Sequence, residues 1–263
     1  EMVRVLRRPE GEVHIAVVGK YVKGTDAYLS VAEALKHGGI ANRVAIKIHW
    51  VESGLLENSN LEMTDNRENG LNQVFQGIDG ILVPGGFGVR GIEGMVVAVN
   101  YARRNQIPYL GLCLGMQCLV IEFARHVCSL ADANSSEFAP ETAHPVVDLM
   151  EDQKDIRNLG GTMRLGHYPC QIRTGTKTYQ AYQTTEVMER HRHRYELNNR
   201  YRDLFEAKGL YPSGISPDQK LVEITEVQDH PWMVGSQFHP EFQSKPLEPH
   251  PLFRAFIEKA RNS

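Results

Sequence analysis

Cys113 lies within Gly111-Leu112-Cys113-Leu114-Gly115, and His239-Pro240-Glu241 follows far downstream. A thiol set between glycines at this spacing reads as a nucleophile on a sharp strand-to-helix turn, where small residues let a tight backbone and a closely packed strand and helix coexist. A helix starting at Leu114 would aim its N-terminus at the sulfur, and the partial positive charge there favours the thiolate. The Leu114 N–H, directly after the nucleophile, is placed to serve as an oxyanion donor, and the Gly85-Gly86 turn could admit a second. Losing one such donor typically costs about 2.7–4 kcal/mol of transition-state stabilisation. If His239-Pro240-Glu241 is extended, its two outer side chains face the same way. Glu241 would then orient His239, which takes the thiol proton and later returns it to a leaving amine. The set specifies acyl transfer at an amide. The competing reading of Cys113 is a buried structural thiol, the role that suits Cys118, Cys128 and Cys170.

These residues need elements to hold them. The apolar run Val13 to Val18, closed by Gly19, predicts a buried strand, and Ala27 to His37 carries Leu29, Ala32 and Leu35 at helical spacing before Gly38-Gly39 ends it. Val44 to Val51, Gly80 to Pro84 and Ile107 to Leu112 predict further strands; Ile92 to Arg103 and Leu114 to Arg125 predict helices. Residues 58–69 read as a polar loop leading into a short helix. Alternation of this kind argues a parallel sheet covered on both faces, with ligands beyond the carboxyl ends of its strands. Both glycine turns, Gly85-Gly86-Phe87-Gly88 and the Cys113 turn, should meet at that edge. From about Leu159 the candidates Thr178 to Thr185 and Leu221 to Val227 suggest antiparallel additions to the same domain. A strand from Trp232 to Phe238 would deliver His239, with Pro240 marking its end. Pro246 to Pro251 connects to a last helix, Leu252 to Ala260. The predicted class is α/β, a mostly parallel central sheet flanked by helices with added antiparallel strands.

Composition narrows the functional classes. The chain has 263 residues, 41% hydrophobic and 23% charged, ordinary for a globular protein. A net charge of −3 gives no long-range attraction for nucleic acid or an anionic membrane. No apolar run approaches the roughly 20 residues of a membrane span, and the first residues lack a signal peptide's apolar stretch. Four cysteines without a C-x-x-C pair suggest a reducing compartment, and a cytoplasmic location is expected. No metal is expected: His191-Arg192-His193-Arg194 lacks further ligands at convincing spacing and reads as a polar loop touching substrate or partner.

Pro84-Gly85-Gly86-Phe87-Gly88, Gly111-Leu112-Cys113-Leu114-Gly115-Met116-Gln117 and His239-Pro240-Glu241 resemble class I, triad-type glutamine amidotransferases. Gly19-Lys20-Tyr21, Asp26-Ala27-Tyr28, Asn134-Ser135-Ser136-Glu137-Phe138, Gly161-Thr162-Met163-Arg164-Leu165-Gly166 and His191-Arg192-His193-Arg194-Tyr195 are similar to the glutaminase domains of CTP synthases. The resemblance covers almost the whole chain. It implies that Cys113 attacks the side-chain amide of L-glutamine, giving a γ-glutamyl thioester and ammonia. It implies oxyanion donors at Leu114 and at Gly86 or Gly85. Substrate contacts would come from Phe87, Gly115 and Met116, and from Gln117, Glu137 and Arg194 around the amino-acid part of glutamine. Arg164 falls in a segment linked in this family to GTP, an allosteric activator.

The same resemblance divides the chain into residues 1–12, a linker remnant from a missing N-terminal synthetase domain, and residues 13–263, the amidotransferase domain. No G-x-x-x-x-G-K-[ST] phosphate loop is present; Thr174-Gly175-Thr176-Lys177-Thr178 is a fragment of it and reads as a hairpin turn. No cofactor is therefore expected in this domain, while ATP, Mg and UTP chemistry belongs to the synthetase domain, within a homo-tetramer. Three alternatives stay open: a γ-glutamyl hydrolase or cysteine peptidase of the same class, a non-enzymatic domain that keeps the fold, and an amidotransferase serving another acceptor enzyme.

Overall fold

The computed structural model describes residues 2–22, 24–57, 67–149 and 163–263. Its helices are α1 (Met2–Arg7), α2 (Leu29–Ala41), α3 (Arg67–Val74), α4 (Ile92–Arg104), α5 (Leu114–His126), α6 (Lys177–Tyr182), α7 (Arg202–Lys208) and α8 (Pro251–Arg261). The strands are β1 (Glu12–Gly19), β2 (Ala45–Glu52), β3 (Gly80–Val83), β4 (Tyr109–Leu112), β5 (Asn134–Ser135), β6 (Pro145–Asp148), β7 (Arg164–Ile172), β8 (Glu186–His193), β9 (Glu196–Leu197), β10 (Leu210–Ile215), β11 (Val222–Val227) and β12 (Met233–Ser236). Nine of them form one sheet in the order β2-β1-β3-β4-β12-β11-β10-β7-β8. The run from β2 to β12 is parallel, and the run from β12 to β8 is antiparallel. Strands β5, β6 and β9 make a small separate sheet.

Strand β1 shows why the centre is buried on both sides. Ile15 and Val17 belong to the apolar cluster under α2 and α8, while Ala16 and Val18 belong to the cluster under α4 and α5. All four are fully buried, as a strand period of two demands when helices cover both faces. The parallel strands β1, β3, β4 and β12 stand side by side, so the loops after them emerge together. The pairing of Val83 with Gly111 and of Leu112 with Ser236 levels their carboxyl ends.

The strand-helix alternation and the antiparallel addition agree with the sequence reading, and four local expectations do not. Helix α2 does not stop at Gly38-Gly39 but runs on to Ala41. Those glycines serve packing: a Cβ on Gly38 would lie 2.9 Å from the Phe253 carbonyl oxygen of α8, and one on Gly39 would lie 2.7 Å from Ile46. The segment expected as a strand from Thr178, with a hairpin turn before it, is instead helix α6. Thr176 Oγ1 accepts the Tyr179 N–H at 3.0 Å, and the carboxylate of Glu226 accepts the N–H groups of Lys177 and Thr178 at 3.0 Å each. A carboxylate remote in sequence thus satisfies two of the first-turn donors that a helix leaves open. His191 and His193 are buried residues of the edge strand β8, not of a polar loop, paired with Gly166 and Arg164 of β7. Finally, Pro240–Phe242 is a 3-10 turn and not an extended segment.

The loop expected at 58–69 and the Gly161-Thr162 segment lie largely outside the described residues. Residues 2–7 form a short helix whose Val5 is buried. Among the described residues no helix is long and apolar enough to cross a membrane, and no group of three or more His, Cys, Asp or Glu side chains is arranged to hold a metal ion.

Candidate active site

Cys113 follows β4 directly and precedes α5. Its backbone is held at φ 50°, ψ −98°, a conformation that side-chain-bearing residues rarely adopt and that typically stores about 1–3 kcal/mol. The flanking glycines explain how the turn is tolerated. A Cβ on Gly111 would lie 2.6 Å from the backbone of Gly115, and a Cβ on Gly115 would lie 2.1 Å from the Val83 carbonyl oxygen of β3. The Cys113 N–H donates to the Ser236 carbonyl at 2.7 Å, which ties the turn to β12. The thiol is buried except where it meets a cleft at the sheet edge.

His239 reaches that edge from the other side. Its N–H donates to the Arg190 carbonyl at 2.8 Å, and the 3-10 turn that follows brings Glu241 back, so that Oε1 lies 2.8 Å from His239 Nδ1. The pairing expected of His239 and Glu241 is present, made by a turn. His239 Cε1 and Cys113 Cβ lie 2.9 and 3.7 Å from where a Cβ on Gly85 would stand, so imidazole and thiol flank the same glycine. Among the described residues His239 Nε2 and Glu241 Oε2 have no hydrogen-bond partner. Burial alone would lower the His239 pKa, but the Cys113 sulfur and the Glu241 carboxylate outweigh it and raise it to about 10. The imidazolium is therefore the favoured form in the resting site.

Seven of the other residues singled out in the sequence line or flank the cleft beside the thiol: Gly86, Phe87, Leu114, Gln117, Glu137 and Arg194 line it, and Gly85 stands against His239. Met163, Arg192, His193 and Tyr195 complete the lining. Among the described residues Arg194 Nε, buried there, has no hydrogen-bond partner. Burial raises the Glu137 carboxyl above its ordinary range, against the pull of the Lys20 and Arg194 cations. The Phe87 ring is exposed, with the Arg192 guanidinium 5.6 Å from its centroid. Gly115 and Met116 do not line the cleft: Gly115 permits the contact with Val83, and Met116 is buried against Gly235.

Arg164 is also absent from the lining of the cleft. Its guanidinium donates to both Glu223 oxygens at 3.1 and 2.9 Å and to Glu196 at 3.3 Å, deep beneath the cleft. The buried His191 and His193 rings meet beside it, Nδ1 to Nε2 at 2.8 Å.

Two contributors had no role assigned from the sequence: Lys20, although it lies in the quoted Gly19-Lys20-Tyr21, and Gln237. The Lys20 ammonium, nearly fully buried, donates to the Phe87 carbonyl at 3.2 Å and to that of Gly88, pinning the glycine loop from beneath. Its own carbonyl accepts from Arg90 at 2.6 Å. Burial lowers the Lys20 pKa, with the Glu137 charge among the groups opposing it. Gln237, two residues before His239, is fully buried with its side-chain nitrogen 3.7 Å from Cys113 Sγ. A polar residue closing an apolar strand is the signal that could have marked it.

Comparison with known proteins follows this geometry. The family described as glutamine amidotransferase class-I matches residues 24–259. The CTP synthase of Caldanaerobacter subterraneus subsp. tengcongensis is 57% identical over 262 residues, covering 100% of this chain and 47% of that protein. That of Chloroflexus aurantiacus is 56% identical, covering 98% and 46%. The chain thus spans about half the length of the curated relatives it matches. Among solved structures, the Trypanosoma brucei CTPS glutaminase domain with bound acivicin superposes with a TM-score of 0.87 at 38% identity, covering 95% of this chain and 94% of that one. A glutamine amidotransferase from Thermotoga maritima, 12% identical, shares the fold with a TM-score of 0.52.

Proposed function

This chain belongs to the class-I glutamine amidotransferase family, and from that premise we propose that it is the glutaminase portion of a CTP synthase, releasing ammonia from L-glutamine through a thioester on Cys113. The observation that carries the reading is the meeting of Cys113, His239 and Glu241 at the mouth of a cleft that also holds Gln117, Glu137 and Arg194.

The chemistry follows from the placement. Glutamine enters with its ammonium toward Glu137 and its carboxylate toward Arg194, whose Nε lacks a partner among the described residues. The Cys113 thiolate attacks the side-chain amide carbon, and the developing oxyanion takes the Leu114 N–H together with that of Gly86 or Gly85. The imidazolium of His239 gives its proton to the departing nitrogen, which leaves as ammonia. The neutral imidazole next takes a proton from water, the hydroxide attacks the thioester, and glutamate departs as Cys113 is restored. Glu241 fixes the ring through Nδ1 throughout.

In the full-length protein the ammonia passes to a synthetase portion that aminates UTP with ATP and Mg, within a cytoplasmic homo-tetramer activated by GTP. The burial of Arg164 against Glu223 favours an indirect part for that residue in any response to GTP.

The test is intact-mass and peptide-map analysis after exposure to a glutamine-like diazo ketone. A single adduct on Cys113, blocked by excess glutamine, is expected. An adduct elsewhere, or one that glutamine fails to block, would sink the reading. In a full-length enzyme, Cys113→Ala should abolish glutamine-dependent CTP formation while sparing the reaction with free ammonia.

A further inference from the structure

Besides the triad partner His239, a second side chain lies against the sulfur, and it has no role in the mechanism above. Gln237 is fully buried, and its backbone is fixed where β12 ends: its N–H donates to the Glu223 carbonyl at 2.8 Å, between the Ser236 carbonyl that holds the Cys113 N–H and the His239 N–H bonded to Arg190. Its side-chain Nε2 lies 3.7 Å from Cys113 Sγ.

The orientation of that amide follows from a chain of partners. The Tyr195 carbonyl can only accept, so the group 3.3 Å from it on Gln117 is the amino nitrogen. The same nitrogen lies 3.5 Å from the far end of the Gln237 amide, which must then be the acceptor Oε1. The opposite end, facing the sulfur, is therefore an N–H donor.

An N–H aimed at sulfur favours the thiolate, because hydrogen bonding to the charged form stabilises that form. We propose that Gln237 is a further catalytic residue: its side-chain amide donates to Cys113 Sγ, stabilises the thiolate, and links the thiol through Gln117 to the Tyr195 wall of the substrate cleft. This rests on the reading of Cys113 as the nucleophile. The link gives the contact a second consequence. A substrate that engages Gln117 pulls on the far end of the Gln237 amide, so occupancy of the cleft is felt at the sulfur.

Other charged groups line or flank the cleft that the thiol meets. His239 with Glu241 stands on the turn after β12; Lys20 lies at the end of β1; Glu137 follows β5; Arg192, His193 and Arg194 come from the end of β8 and beyond. Substituting Gln237 leaves all of them in place, so a shift in the thiol's titration between variants reports the amide alone.

The experiment is the pH dependence of Cys113 alkylation by iodoacetamide, read by peptide mapping in wild type, Gln237→Met and Gln237→Glu, with thermal melting to check folding. Met keeps the volume without the donor and should move the midpoint of alkylation up by about one pH unit, slowing the reaction roughly tenfold at pH values well below that midpoint. Glu keeps the shape but puts a like charge beside the sulfur and should slow it further. In wild type, with glutamine side chains labelled in nitrogen-15, the Gln237 amide protons should move as Cys113 ionises and stay still in Cys113→Ser, a readout independent of either variant's folding. Midpoints within 0.3 of a pH unit in folded variants, or amide protons indifferent to the thiol's ionisation, would overturn the role of Gln237. Wild-type alkylation of Cys113 that glutamine fails to block would count against the nucleophile itself, a separate failure.

Discussion

Two buried histidine regions lie close together at the same sheet edge and are held in opposite charge states. On the turn after β12, His239 is raised to about 10: burial opposes the charge, but the Cys113 sulfur and Glu241 outweigh it. On β8, burial leads the causes that lower His191 to about 2 and His193 to about 3, with neighbouring positive charge adding to it. Carboxylates stand near both. What differs is the sulfur beside His239, and whether the carboxylate is free to serve the ring. Glu241 Oε1 sits 2.8 Å from His239, and among the described residues its other oxygen has no partner. Glu223 gives both its oxygens to Arg164, leaving His191 Nδ1 at 3.8 Å, beyond a hydrogen bond. His239 keeps its proton because a sulfur and an unclaimed carboxylate both serve it; His191 has neither.

The comparison can be broken first at its catalytic end. His239→Asn removes the group that moves the proton, and kcat for glutamine hydrolysis should fall about 10⁴-fold, as for loss of a triad member elsewhere. A loss under tenfold would take His239 out of the reaction. Arg164→Met attacks the other end. Breaking a buried ion pair from one side typically costs about 3–5 kcal/mol, to be read from the urea midpoint, and it frees Glu223 to raise His191. An unchanged midpoint, or a His191 ring that titrates as before by NMR, would show that Arg164 does not keep the carboxylate from the histidine. Glu241→Gln sharpens the contrast by keeping shape and removing charge. Hydrolysis should drop roughly 10²–10³-fold, and the His239 pKa should fall from about 10 toward its ordinary value. A pKa that stays put would credit the sulfur alone.

The sequence was most legible where the physical requirement is local. The apolar run of β1 and the glycines at 111 and 115 could be read from their own segments, and the structure puts both to the expected use. It was misleading where a distant group decides the outcome. Helix α6 forms because Glu226 caps it from β11, and α2 continues through two glycines because α8 lies against them. The same limit applies at the site. His239 and Glu241 share a motif and were visible in it, whereas Gln237 matters only because β12 lies beside β4, a fact of sheet order. His191 and His193 read as a polar loop since nothing adjacent announces that Arg164, Glu196 and Glu223 will bury them.

The mildest test separates the two regions by pH. A histidine ordinarily titrates near 6.5, whereas folded His191 titrates at about 2. Between those values the unfolded chain binds a proton that the native state refuses, so stability is lost as pH falls below about 6.5, by at most about 1.4 kcal/mol per pH unit for one ring. His239 has the reverse sign. Its folded value of about 10 lies above the ordinary one, so its contribution is complete below about pH 6.5 and disappears as pH rises through 10. His191→Asn should therefore flatten the acid limb of urea-unfolding stability against pH and leave the alkaline limb untouched. Equal acid slopes in variant and wild type would mean that His191 takes up its proton in the folded state. The contrast between the two regions would then rest on His193 alone.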